Sequence, residues 1–291
     1  MKYRNLGRTG LEVSVLAFGG IMLNNTKQCK VDKIVAEAVE KGVNLFDVGP
    51  TYGNAQNILG PALEPYREEV VLTCKTEPDK SKEEVKEDIK KSLELLKTDY
   101  FDVYQLHEVT DYSAVGKALA PGGALEAIEE AKEEGLIKNI GFSAHSEWAA
   151  IHLMKAYDFD TVMFPINWNY WYNESQGKTV IEKARETEKG IIAIKALAHR
   201  QWNDEEDRNN YDTWYKPLYD NDELAELAIK FTLSQNIDTA VSPGSVRMFR
   251  KALKIIENNE NSLELTNSGV NKLKEYADSN GGKLYPIPDG E

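Results

Sequence analysis

Short apolar runs recur along the chain, each followed by a polar segment or one with helical spacing. They are VSVLAFGG, VNLFDVG, EVVLTCK, YFDVYQLH, KNIGFSAH, DTVMFPIN, GIIAIKAL and DTAVSPG, eight in all. Because they are nearly continuous rather than alternating, they suit parallel strands covered on both faces. Between them, residues 81–97 carry the plainest helical pattern. Val85, Ile89, Leu93 and Leu96 fall on one face, and Ser81 with Glu84 makes a capping box. Gly42, Gly135 and Gly190 stand where such helices would stop. The alternation predicts a parallel α/β fold. Periodicity alone leaves a doubly wound sheet open, and the count of eight strands favours a (β/α)₈ barrel.

Two stretches fall outside this rhythm. KYRNL and TGLEVS, around Gly7 and Gly10, predict an N-terminal β-hairpin. The segment HRQWNDEEDRNNYDTWYKPLYD, residues 199–220, is a long connection after the seventh run and carries Trp202, Tyr211, Trp214, Tyr215 and Tyr219. Such connections serve as lids or binding loops, or pack their aromatics onto the barrel. Beyond them a helix is predicted over 265–277, followed by GGKLYPIPDGE, whose Gly and Pro content predicts a loose terminus.

The 291 residues suit one barrel domain, since such barrels typically take about 250. A net charge of −13 argues against nucleic acid or an anionic membrane surface as a general partner and leaves oligomeric state open. Cys29 and Cys74 have no metal-binding spacing, and no signal-like or membrane-length apolar segment occurs. A reduced, cytoplasmic protein is the natural expectation.

Asp47, Lys75 and His107 each end a different apolar run, and Tyr52 lies in the loop after the first of them. A barrel gathers strand ends around one mouth, so the four can meet. Their chemistry is complementary. A lysine ammonium favours the phenolate of a neighbouring tyrosine and should lower its pKa, so that Tyr52 can protonate an oxyanion. A carboxylate such as Asp47 keeps a buried lysine charged, and a neutral histidine donates a hydrogen bond to a carbonyl oxygen. None of the four is a nucleophile. The set fits protonation of a carbonyl that receives hydride from a bound cofactor. Farther on, SPGSVRMFR ends a strand and opens a helix, so Gly244, Ser245 and Val246 offer backbone N–H groups to a phosphate. Ile21, Met22, Trp168, Trp171, Trp202 and Trp214 are candidates to line an apolar substrate pocket.

MKYRNLGRTGLEVSVLAFGG, NLFDVGPTYGNAQNILG, the Lys75 strand end, YQLH, GFSAHS and SPGS together resemble the aldo-keto reductase superfamily along nearly the whole chain. The resemblance implies a barrel closed below by the hairpin, Tyr52 as general acid, Lys75 and Asp47 as its partners, and His107 as the residue that orients substrate. It implies NADPH, with NADH as the alternative, held by Gly20, Ser143, Lys195 and Leu197 besides the phosphate-binding helix. Arg250 occupies the place of a 2′-phosphate ligand. The usual asparagine beside the serine is Ala144, and a usual glutamine is Pro165, so Asn167 is expected to supply an amide contact. The activity implied is reduction of an aldehyde or ketone to an alcohol.

Two other readings start from the same residues. His107, His145 and His199 all follow strands whose ends share a mouth with Asp47, a set suited to a metal-dependent hydrolase. It leaves Tyr52 and Lys75 without roles. A non-catalytic NADP-binding regulatory subunit would keep the fold and the site without the turnover.

Overall fold

A computed structural model describes residues 1–203, 213, 215–259, 262–280 and 284. The strands are β1 (Tyr3–Asn5), β2 (Glu12–Ser14), β3 (Leu16–Gly19), β4 (Leu45–Asp47), β5 (Val71–Thr76), β6 (Phe101–Val109), β7 (Ile137–Ala144), β8 (Thr161–Pro165), β9 (Gly190–Ile194), β10 (Ala198–Gln201), β11 (Tyr215–Pro217) and β12 (Thr239–Val241). Eight of them close a parallel barrel in the order β12-β3-β4-β5-β6-β7-β8-β9, so all eight apolar runs become barrel strands. Helices α1 (Gln28–Glu40), α2 (Ala55–Leu63), α3 (Lys82–Leu96), α4 (Tyr112–Leu119), α5 (Ala124–Glu133) and α6 (Glu147–Ala156) belong to the first half of the chain's alternation. Helices α7 (Trp168–Glu174), α8 (Lys178–Glu186), α9 (Asp222–Ser234), α10 (Val246–Asn258) and α11 (Asn267–Asn280) complete the set. The capping box forms at α3 as the spacing predicts, with Val85, Ile89 and Leu96 buried.

Gly42 and Gly135 follow α1 and α5 with φ of +80° and +81°, the left-handed residues that end helices without strain. Gly190 does not. Helix α8 turns off through Glu188, whose φ is +55°, and Gly190 instead opens β9. Its lack of a side chain answers to packing, because a Cβ there would lie 2.7 Å from Leu6 Cγ. The last helix begins at Asn267 rather than 265, and most of the tail beyond it lies outside the described residues.

The hairpin β1–β2 is antiparallel, with Tyr3, Arg4 and Asn5 opposite Ser14, Val13 and Glu12. Leu6 and Val13 are fully buried in one cluster with Ala17, Leu45, Val71, Val103, Met163, Ile192 and Val241, the inward side chains of the barrel. The hairpin therefore plugs the floor. Gly7, at the turn, has φ +51°, and a Cβ would fall 2.2 Å from Gly190 N, so only glycine permits this approach. Asp238 ties plug to barrel: its carboxylate accepts from Gly7 N (3.1 Å), Ile191 N (2.8 Å) and the Arg185 guanidinium (2.5 Å).

Asp238 is 4% exposed, so Asp238→Ala takes the carboxylate from Arg185, which keeps the Asn236 and Lys189 carbonyls, and strands two backbone donors. Because Arg185 keeps some contact with water, we expect a loss of about 2–3 kcal/mol, below the range for a fully buried pair. Urea unfolding checks it: the midpoint should fall with the slope unchanged, and an unaltered midpoint would show that the anchor contributes nothing.

Candidate active site

The alternation of β4 and β5 decides where the first charges point. Asp47 pairs with Thr73 across the two strands, and Lys75, two residues beyond Thr73, shares its inward face. Asp47 accepts from Thr73 Oγ1 at 2.7 Å through one oxygen and from Lys75 Nζ at 2.8 Å through the other. Both side chains are almost wholly buried. Gly49, in the loop after β4, leaves room for the lysine stem, since a Cβ there would sit 2.9 Å from Lys75 Cγ. The same ammonium donates to Tyr52 Oη at 3.2 Å, and the Tyr52 ring meets His107 edge-on at 5.9 Å between centroids. The three residues chosen from strand ends and Tyr52 of the loop thus occupy one site.

Electrostatics there differ from the simple expectation in one respect. Burial would pull Lys75 down, but Asp47 and the Tyr52 oxygen outweigh it and hold the ammonium above its ordinary value. Burial pushes Tyr52 up more than Lys75 pulls it down, and Asp47 adds to the rise. The expected lowering of Tyr52 is therefore reversed in direction, and the phenol stays protonated through the neutral range. Burial and the Lys75 charge push His107 down to about 3, so its imidazole is neutral there.

These groups line a pocket of about 660 Å³ at the C-terminal ends of the strands. Gly19, Ile21, Ser143, Ile194, Lys195 and Gly244 share its wall. Gly244 leads into α10, whose N-cap Ser245 makes no side-chain cap, which leaves the first-turn N–H groups to face outward ligands. Val246 is the first residue of that helix and packs partly against the core. The pocket wall runs from Tyr52 to Gly244 and carries polar groups along it, among them Thr51, Ser143, Lys195 and Ser242.

Other expected contacts fall elsewhere. Asn167 is 1% exposed and is the N-cap of α7: Oδ1 accepts from Asn169 N and Tyr170 N, while Nδ2 donates to the carbonyls of Lys195 (2.8 Å) and Ala198 (2.9 Å). Its amide already has four partners, so the anticipated nicotinamide contact is not its role here. Gly20 lies behind the wall against Asp47 and Val48, and Leu197 and Met22 are core. Trp168 is fully buried, stacked 6.1 Å from His199, and Trp171 packs against Phe231. Neither tryptophan lines the pocket. Trp202 is buried within its own connection, donating to the Thr213 carbonyl at 2.9 Å, and Trp214 lies outside the described residues. That connection nevertheless faces the site, through Thr213 and through Tyr215 at the start of β11.

Arg250 is half exposed on α10 and holds Glu37 of α1 with two nitrogens, at 3.0 Å and 2.6 Å. The histidines do not converge on a metal. His199 is turned to Trp168, Asp47 is occupied by Thr73 and Lys75, and among the described residues no group of three or more His, Cys, Asp or Glu is placed to hold an ion. His152 lies stacked on Trp148 at 3.9 Å, as a packing residue does.

Sequence reasoning passed over Glu108, Glu77, Asp79, Met163 and Ser242, all of which line the pocket. Glu108 directly follows His107, and Glu77 and Asp79 follow Lys75 closely, so position just past a strand end was the available signal.

Comparison with known proteins agrees with this architecture. An uncharacterized oxidoreductase of Bacillus subtilis is 35% identical over 157 residues, 50% of this chain and 49% of that protein. A probable voltage-gated potassium channel subunit beta of Arabidopsis thaliana is 33% identical over 122 residues, 37% of each chain. The matched stretch thus spans about half the length of these curated relatives or less. An aldo-keto reductase of Bacillus halodurans, solved in its holo form, superposes over 99% of both chains with a TM-score of 0.72 at 24% identity, a likeness of fold. The sequence model of the aldo/keto reductase family matches residues 15–286. With that match running through all eight barrel strands, the chain belongs to the aldo/keto reductase family.

Proposed function

We propose that the protein reduces an aldehyde or ketone to an alcohol with a nicotinamide cofactor, NADPH by preference. The observation that carries the reading is the Lys75 ammonium held 2.8 Å from Asp47 and 3.2 Å from Tyr52 Oη inside a pocket. Tyr52, protonated at neutral pH, gives its proton to the carbonyl oxygen as negative charge develops there. Lys75 then faces the new phenolate, and Asp47 keeps Lys75 charged in a site that would otherwise neutralise it. Neutral His107 donates to the same oxygen and orients the carbonyl. Ile21, Met163, Ile194 and Tyr215 supply apolar wall that limits water at the reacting carbon. When bound, the cofactor supplies hydride. Ser143, Lys195, Gly244, Ser245 and Val246 are the residues to hold it, with Arg250 toward a 2′-phosphate. The unpaired Cys29 and Cys74 suit a reducing, cytoplasmic setting. Among the described residues no helix is long and apolar enough to cross a membrane.

A second reading, nucleotide binding without turnover, is favoured by the likeness to a channel subunit. Nucleotide affinity with no turnover over a panel of aldehydes would support it against the first.

Tyr52→Phe should keep the fold and nucleotide affinity while reduction falls by at least about two orders of magnitude, the usual scale of general-acid catalysis. Lys75→Met should lose reduction on the same scale and also lose stability, because Asp47 is left buried without its partner. Steady-state rates on one good aldehyde check both, and near wild-type turnover in the Phe variant would remove Tyr52 from the role.

The shifts also set a pH profile. Raised Tyr52 keeps its proton to higher pH, and His107, pushed down to about 3, stays neutral down to low pH. The kcat for reduction should therefore be level from about pH 5 to 9 and fall only above it, while alcohol oxidation, which needs the phenolate, should rise with pH. A break near pH 6.5 would show that a histidine with an ordinary value governs the step.

Glu37 tempers the cofactor preference. An exposed ion pair is worth up to about 1 kcal/mol, and a charge-assisted phosphate contact about 1.5–3. Glu37→Gln should then tighten NADPH by up to about fivefold with NADH unchanged, and Arg250→Ala should weaken NADPH alone. Dissociation constants for both nucleotides at one salt concentration measure this. Equal changes for the two would assign Arg250 to the helix surface.

A further inference from the structure

Beside the tyrosine site the same pocket holds a second ordered set, Glu108, His145 and Lys195, from the ends of three different barrel strands. Glu108 Oε1 lies 3.3 Å from His145 Nδ1, and Lys195 Nζ lies 3.2 Å from His145 Nε2. With Nδ1–H given to the carboxylate, Nε2 is an acceptor facing the amine. A nucleophile, a base within hydrogen-bond reach and a third group orienting the base is the arrangement of an activated nucleophile.

The backbone shows that this placement is built. Glu108 and Lys195 adopt φ of +54° and +68°, left-handed conformations that cost a non-glycine residue about 1 kcal/mol or more. Lys195 is fixed there by Asn167, which donates to its carbonyl at 2.8 Å, and by Ala198 N at 2.9 Å. His145 is held on both sides, its N–H donating to the Val109 carbonyl and its carbonyl accepting from Tyr170 Oη, each at 3.2 Å.

We infer that Lys195 is an amine nucleophile, which condenses with small aldehydes and unhindered ketones in this pocket to form an imine. This goes beyond hydride transfer and needs only that a carbonyl compound reach the pocket. The Nζ lone pair adds to the carbonyl carbon, and the C=O π pair moves to oxygen. His145 Nε2 shuttles the two amine protons to that oxygen, which leaves as water as the C=N bond forms. Nothing is oxidised or reduced. Lys195 is the catalytic residue in this step because it bonds the substrate, and His145 touches the reacting nitrogen. Glu108 is a positioning residue.

Burial lowers Lys195 well below the ordinary lysine value, only partly offset by Glu108, and His145 is pushed down to about 4 by burial and by Lys195. Both shifts favour the uncharged amine and the neutral base that addition to a carbonyl requires.

The test is reductive trapping on the full chain without nucleotide, which is left out because Lys195 is also a candidate phosphate contact. Protein is mixed at pH 7 with about one equivalent of propanal and sodium cyanoborohydride, and propylated lysines are mapped by peptide mass spectrometry over time. An ordinary lysine of pKa about 10.4 is uncharged in roughly one molecule in 2500 at that pH, so Lys195 should be modified at least about tenfold faster than any surface lysine. His145→Gln and Glu108→Gln should slow modification of Lys195 while surface lysines, the internal control, keep their rates. Modification of Lys195 no faster than the surface lysines overturns the inference, and an unchanged rate in His145→Gln removes the base. Aldehyde reduction with NADPH on the same preparation separates this from the reductase reading. Turnover without selective trapping at Lys195 rejects the imine alone, and selective trapping without turnover rejects the reductase alone.

Discussion

A lysine ammonium inside a barrel is tolerable only against an anion, and the Lys75–Asp47 contact is the constraint on which the site rests. Removing either partner would leave a buried charge uncompensated, a cost of several kcal/mol. The surroundings are arranged to keep the pair whole. Thr73 holds the second carboxylate oxygen, Gly49 leaves room for the lysine stem, and Met163 Sδ lies 3.8 Å from Nζ. The ammonium is left with one direction open to chemistry, toward Tyr52. Its charge also helps keep His107 neutral, so a single ion pair prepares both a proton donor and a hydrogen-bond donor.

The barrel divides its two ends between different tasks. Below, the plug of Leu6 and Val13 and the Asp238 anchor close the floor. Above, the strands end where Glu108 and Lys195 accept left-handed backbone. Strain of that kind persists only where neighbours over-determine the conformation. At Lys195 the neighbours are Asn167 and Ala198, which ties the seventh barrel strand end to the start of α7.

Several side chains of a suitable type are engaged by other partners. Asn167 caps a helix and braces a loop, Trp168 fills core, and Arg250 grips Glu37 across two helices. In each case the residue type was readable and its partner was not. A buried amide is satisfied by whatever donors and acceptors the fold brings nearest, and an arginine fork takes the closest carboxylate. The tetrad differs because Asp47, Lys75 and His107 lie on strand ends whose direction is set by the period-two alternation of the strands, and Tyr52 follows one of them in a short loop.

The chain's own pattern determined the eight strands, their parallel order, the plugging hairpin, the α3 cap and the meeting of Asp47, Tyr52, Lys75 and His107. The strands, the hairpin and the cap follow from local periodicity, which acts within a few residues of sequence, whereas the barrel's common mouth and the hairpin's place beneath it came with the family resemblance. Tertiary structure decided the direction of the Tyr52 shift, since desolvation depends on everything packed around the phenol and not on Lys75 alone. It decided that Gly190 serves packing against Leu6 rather than ending a helix. It also decided that Glu108, His145 and Lys195, separated by 37 and 50 residues, stand in line. Such contacts join strand ends far apart in the chain, and only barrel closure, which fixes the register of every neighbouring strand, brings them within hydrogen-bond reach.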